Sequence, residues 1–371
     1  MRSLRPRFYL CVCLFIALAA AGSGCRQEPE PAPEPPAPVR PLLLELQATI
    51  IGHGWNSLSD TIITFDGSTM LVIDGGQGLL LYGLADPGHP ILLASVDRFT
   101  LGGYARAAVA SNGRAFVAIM GNGEIVELDI STLSSPLVVN RFSTIPGVGK
   151  LELRGNHLFV HFISGGNVPG GVFVYDISHS PAQLVGQYLV SIIDPGFCVS
   201  DSKRIFLAHP EHVNWTSQID VADMADPANP VFVYTWPSSR AINIEDMCTQ
   251  NGRLYCAAYL GGILVLKGAD EPRLDLEAEF DWSDIHFGAW SIAAVPPYVF
   301  VARGDSSGAA ESFQAFRQWG SSLTLVWEQA AQFPIHSVTV SGNLLVTVEQ
   351  ESLSRPNPQK ILKLLRIFAE N

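Results

Sequence analysis

One hydrophobic pattern returns along this chain from about residue 41 to residue 368. An apolar stretch of β type leads through a Gly or Asn turn into a second and then, after a loop, a third that ends near an acid; a Pro-containing turn opens a fourth. The third stretch and its Pro turn read GLLLYGLADPGHPILLASV from Gly78, GEIVELDISTLSSPLVVNRF from Gly123 and GVFVYDISHSPAQLVGQY from Gly171. They read QIDVADMADPANPVFVYTW from Gln218 and GILVLKGADEPRLDLEAEF from Gly262. The Pro that opens the fourth stretch falls at Pro90, Pro136, Pro181, Pro230 and Pro272, at intervals of 46, 45, 49 and 42 residues. That period fits four-stranded propeller blades and not helical solenoids.

A sixth copy runs from Trp290 to Gln329, and a seventh begins at His336 and ends in ILKLLRIF, a third strand with nothing after it. The missing fourth strand lies at the other end, because PLLLELQATI from Pro41 matches PILLASVDRF from Pro90. Pairing the two ends would remove two exposed sheet edges. The pattern therefore predicts an all-β, seven-bladed β-propeller of four-stranded blades over residues 42–371, its last blade closed by the N-terminal strand.

The recurring small residues have structural reasons. First-hairpin turns at SNG from Ser111, RGN from Arg154, QNG from Gln250 and SGN from Ser341 need the positive φ that Gly and Asn tolerate. The acids before the Pro turns, such as Asp129 and Asp176, suit Asx-type turns that accept backbone N–H bonds.

In this motif the chain resembles the LVIVD repeat family of bacterial secreted or lipid-anchored, propeller-like proteins. The resemblance rests on the Gly-apolar start followed by Asp-Ile-Ser and Pro, best seen at Gly123, Asp129 and Pro136 and at Gly171, Asp176 and Pro181. Asp86 with Pro87 and Asp226 with Pro227 are variants. It implies a fold and a location, and brings no shared reaction or catalytic residue.

Composition agrees with many short strands and turns, with 47% apolar and 16% charged residues, 33 Gly and 25 Pro. Residues 1–24 read as an export signal, in which Arg2, Arg5 and Arg7 precede an apolar stretch and small residues. The run Gly22, Ser23, Gly24, Cys25 resembles the lipobox of bacterial lipoproteins, with Gly22 where Leu is usual. Cys25 would then carry the lipid, and residues 26–41, rich in Pro and Glu, would form an extended tether.

Losing three Arg with the signal would take the formal charge from −12 to −15, which argues against nucleic acid and anionic lipid as partners. The membrane would be met through the lipid alone. Outside the signal and Cys25, only Cys198, Cys248 and Cys256 remain, so at least one thiol stays free in a monomer.

No nucleophile elbow, Cys-x-x-Cys pair, zinc helix, phosphate loop or calcium loop occurs. The expected architecture gathers His53, Trp55, Tyr104, Arg106, Glu245, Asp246, His286, Trp290 and His336 at one face or at the mouth of the channel. His209, His212 and Trp215 belong to the loop HPEHVNWTS. Long connections between second and third strands fall at residues 164–170, 210–217, 304–312 and 349–359 on that same face, whereas blades one, two and five keep short ones.

The expectation is a noncatalytic binding or scaffolding lipoprotein of the cell envelope, without cofactor or metal, monomeric, with an envelope or extracellular protein or a glycan as partner. The rival is a propeller hydrolase or lyase using acids and His at the channel mouth, Glu245, Asp246 and His286 being its candidates.

Overall fold

The computed structural model describes residues 42–53, 62–64, 68–74, 77–163, 170–190, 196–199, 204–211, 216–237, 243–282, 287–305, 312–351 and 359–368. These form seven antiparallel four-stranded sheets. Six are simple meanders in chain order. Blade two, for example, runs Ala105–Ser111, Arg114–Ile119, Glu124–Asp129, Leu137–Ser143. The innermost strands of consecutive blades touch one another around the circle, and Ile335–Ser341 of blade seven meets Ile62–Thr64 of blade one. The protein is a seven-bladed β-propeller.

Blade seven is assembled from both ends of the chain. Its sheet is ordered Ile335–Ser341, Leu344–Gln350, Gln359–Phe368, then Leu43–His53 outermost. The last pair is antiparallel from Leu43 opposite Phe368 to His53 opposite Gln359. A register detail confirms that Leu43–His53 is a genuine fourth strand. Every outermost strand carries one extra residue against its third strand, at Leu93, Val139, Val185, Val233, Glu277 and Val326, and the N-terminal strand carries it at Gln47. Such bulges increase the local twist that the blade needs toward its rim.

Alternation explains the packing. In Arg114–Ile119, Ala115, Val117 and Ile119 enter the core shared with blade one, whereas Phe116 and Ala118 enter the core shared with blade three. Among the described residues seven such apolar clusters exist, one at each blade interface, which is why second strands read as unbroken apolar runs. The turn chemistry also holds: Asn112, Asn251, Gly155 and Gly342 have positive φ, and the carboxylates of Asp129 and Asp176 accept the Ser131 and Ser178 amides at 2.9 and 2.8 Å.

Three expectations need correction. The run PILLASVDRF is not strand throughout: the strand is Ile91–Val96, and Asp97 caps a short helix, Arg98–Leu101, by accepting the amides of Phe99 and Thr100. A helix cap satisfies N–H groups that an outermost strand would leave to water. In blade five the connection after the second strand spans residues 258–262, longer than the short one expected, and in blade four the long connection expected at 210–217 shrinks to 212–215, because Pro210 pairs with Ser217 and Glu211 with Thr216.

Candidate functional site

The inner strand of each blade has one edge facing the channel, with backbone groups that its own sheet cannot pair. In blades four to seven, side chains from neighbouring blades cap this edge. Lys150, on the inner strand of blade three, Val148–Arg154, donates to Phe197 O of blade four at 3.0 Å and to Met247 O of blade five at 3.1 Å. The same ammonium meets Asp246 Oδ1 at 3.2 Å and Glu152 Oε1 at 3.6 Å. Glu152 accepts Val199 N at 3.2 Å, and Thr249 Oγ1 donates to Val199 O at 3.1 Å.

Asp246 passes the chain onward. Its Oδ2 accepts the Ser291 hydroxyl at 2.9 Å and Ile292 N at 3.1 Å on blade six, and Ser291 Oγ accepts Val338 N of blade seven at 3.2 Å. A polar belt thus runs around the channel wall from blade three to blade seven. Burial works against charge on Lys150, but the carboxylates of Asp246 and Glu152 outweigh it and hold its pKa above the ordinary lysine range. The best acid candidate of the enzyme reading is therefore committed to holding strand edges together.

His161 pairs in register with Lys150, is fully buried, and stacks on Phe197 with ring centroids 4.7 Å apart. Neither ring nitrogen has a protein partner. Burial, with a smaller contribution from the Lys150 charge, pushes its pKa down to about 3. Because the unfolded chain binds this proton near pH 6.5 and the folded one only near 3, acid favours unfolding across that window, by about 1.4 kcal/mol per pH unit. His161→Phe, which keeps the stacking surface, should therefore lose less stability than the parent between pH 6.5 and 4. Parallel urea titrations at several pH values check this, and identical pH slopes would refute it.

The mouth positions share a backbone device. Inner strands of blades two, three, six and seven each bulge at the same place, where the extra residue is Arg106, Gly149, Trp290 and His336 respectively. A bulge re-aims its side chain, which explains why three mouth candidates occupy equivalent sites. At Gly149 a Cβ would press on Ile163 and on His161 Nδ1. Trp290 is exposed and lies against the Tyr259 ring at 4.8 Å. Tyr104 accepts a hydrogen bond from Arg98.

Other candidates separate. His53 ends the outermost strand of blade seven and His336 sits on its innermost one. His209 Nε2 lies 3.1 Å from Asp220 Oδ1, and Thr235 donates to the same oxygen at 2.6 Å. Glu245 precedes the inner strand of blade five and donates its amide to Ala257 O. Cys25, Trp55, His212, Trp215 and His286 lie outside the described residues.

Cys198 and Cys256 are buried in the core between blades four and five, and Cys248 packs toward blade six. All three are free thiols whose pKa burial raises, Cys248 to about 12, which keeps them protonated and unreactive. Among the described residues no group of three His, Cys, Asp or Glu could hold a metal ion.

No family profile and no curated protein matches this chain. Solved structures do match. The WD40 β-propeller domain of Doa1 aligns with TM-score 0.60 at 12% identity over 87% of this chain and 96% of that one. Kuenenia stuttgartiensis hydrazine synthase aligns with TM-score 0.64 at 12% identity over 85% and 99%, and the computationally designed Ika8 protein with 0.54 at 12% over 82% of each. What is shared is the propeller fold. At this identity the likeness carries no activity from one chain to another.

Proposed function

We propose that this protein is a noncatalytic binding or scaffolding lipoprotein of the bacterial envelope, of the LVIVD type, held by lipid on Cys25 and presenting one face of the ring to a protein or glycan partner. One observation supports it most. Lys150, Glu152, Asp246 and Ser291 are engaged in capping strand edges, whereas the face bearing the blade-to-blade connections exposes Phe99, Met120, Leu260 and Trp290. Exposed aromatic and apolar side chains among polar neighbours are what an interface uses.

The long connections belong to this face as well, since those of blades three, six and seven, residues 163–169, 306–311 and 351–358, each join a second strand to a third. Replacing these three by Gly-Asn turns should abolish partner recovery after crosslinking in cells while the ring stays folded. Cys25→Ser should move the protein out of the membrane fraction. Undiminished recovery with all three shortened would place the recognition surface elsewhere, and a mutant retained in salt-washed membranes would defeat the lipid anchor.

A further inference from the structure

We propose that a depression on the connection face at the junction of blades one and two binds a carboxylated pyranose, a sugar residue of the uronic-acid type. This deepens the recognition reading and rests on it. The depression, about 410 Å³, is lined by Arg98, Phe99, Gly102, Gly103 and Tyr104. It lies in the connection of residues 97–104, as long as that at 238–245 and twice the length of those at 144–147 and 331–334. Ring closure alone does not call for the extra length.

The connection is firmly built. Asp97 caps the helix Arg98–Leu101 at its start, Leu101 is buried in the core between blades one and two, and Gly102 closes the helix with φ +88°. Arg141, on the outermost strand of blade two, donates to Leu101 O at 2.7 Å and to Thr100 O, and is itself held by Glu124 at 3.0 Å. Yet this braced segment presents Phe99 at 79% exposure, above any other exposed large hydrophobic residue among those described.

Arg98 supplies the charge. Its guanidinium carbon lies 4.7 Å from the centroid of the Phe99 ring and 5.1 Å from that of Tyr104, and one of its nitrogens donates to the Tyr104 hydroxyl. No carboxylate among the described residues pairs with it. A guanidinium fixed between two rings, with most of its N–H groups unspent, is preorganised for a carboxylate in the fork geometry.

The rest of the lining selects what carries that carboxylate. The exposed Phe99 ring offers a flat apolar surface to the C–H face of a pyranose; the amides of Gly102 and Gly103 are spent on Phe99 O and Arg98 O, so the Arg98 fork and the Tyr104 hydroxyl are the polar groups that meet its carboxylate and hydroxyls. A chain of formal charge −12 repels a polyanionic protein or nucleic acid at long range, so a single local carboxylate fits better than an acidic macromolecule.

The test is calorimetric titration of the purified full chain in detergent with sodium glucuronate, glucose, benzoate and a Glu-containing tripeptide. Saturable glucuronate binding is expected, at least ten-fold tighter than for the other three, and at least ten-fold weaker in Arg98→Gln and in Phe99→Ala. Both variants should melt as the parent does, since each side chain is partly or largely exposed. No saturable glucuronate binding, equal binding by Arg98→Gln, or benzoate or peptide binding as tight as glucuronate would each overturn the proposal. Partner recovery in cells by Arg98→Gln separates the two readings: if recovery persists while glucuronate fails to bind the parent, the sugar site falls and the broader recognition reading stands.

Discussion

A chain lacking residues 42–51 should aggregate on expression or, where soluble, melt roughly 10 °C or more below the full chain. The deletion takes away most of the outermost strand of blade seven, and with it Leu42, which is buried among residues of blades six and seven, and Leu44, which packs against the same core. Ala48 and Ile50 pack against the core between blades seven and one. At about 1.5–3 kcal/mol for each large apolar side chain fully buried, and less for the half-buried ones, the loss is roughly 5 kcal/mol. The strand Gln359–Phe368 would then present a long unpaired edge carrying Leu362, Leu364 and Ile367, a template for pairing with another chain. Calorimetry and size-exclusion chromatography decide the matter; a monomeric variant with the parental melting temperature would show that the strand does not close the ring.

The second large effect is expected at Asp246. Asp246→Ala removes the acceptor for Ser291 Oγ and Ile292 N, and leaves the Lys150 ammonium with Glu152 as its remaining anion. Breaking one partner of such a network costs more than the pair contributes, because polar groups stay desolvated without a bond. With Asp246 about one quarter exposed, the expected loss is roughly 2–4 kcal/mol in chemical denaturation. Asp246→Asn retains an acceptor and should lose about half as much. If Asp246→Ala were as stable as the parent, the belt would contribute nothing to holding blades five and six together, and the carboxylate would again be available to an enzymatic reading.

The ring was legible because its determinants are local and repeated. The Pro that opens each fourth strand, the Asx acids and the Gly or Asn hairpins recur at one period, and the end-to-end match of PLLLELQATI with PILLASVDRF revealed the closing strand. The same template misled at VDRF, where a strand-like pattern conceals a capped helix; Asp97 three residues before Thr100 was the available signal. The channel belt was illegible because Lys150 and Asp246 stand 96 residues apart and meet only after blade four is interposed with an inner strand of three residues, Phe197–Val199. Bulge positions hid for another reason. Arg106, Gly149, Trp290 and His336 share a backbone role but no chemistry, so no residue pattern marks them.

The strand that closes blade seven also has a consequence for the order in which the protein is made. Leu43–His53 is the first described strand to leave the ribosome, and its only sheet partner, Gln359–Phe368, is the last. Until that strand has emerged, Leu43, Leu46 and Ile51 have no sheet to join, while blades one to six can each form from contiguous sequence. The final closure therefore waits on the most distant contact in the chain, which is intrinsically slow, and a nascent or truncated product retains a strand ready to pair with another molecule. Quality control of this protein reduces to whether its two ends have met.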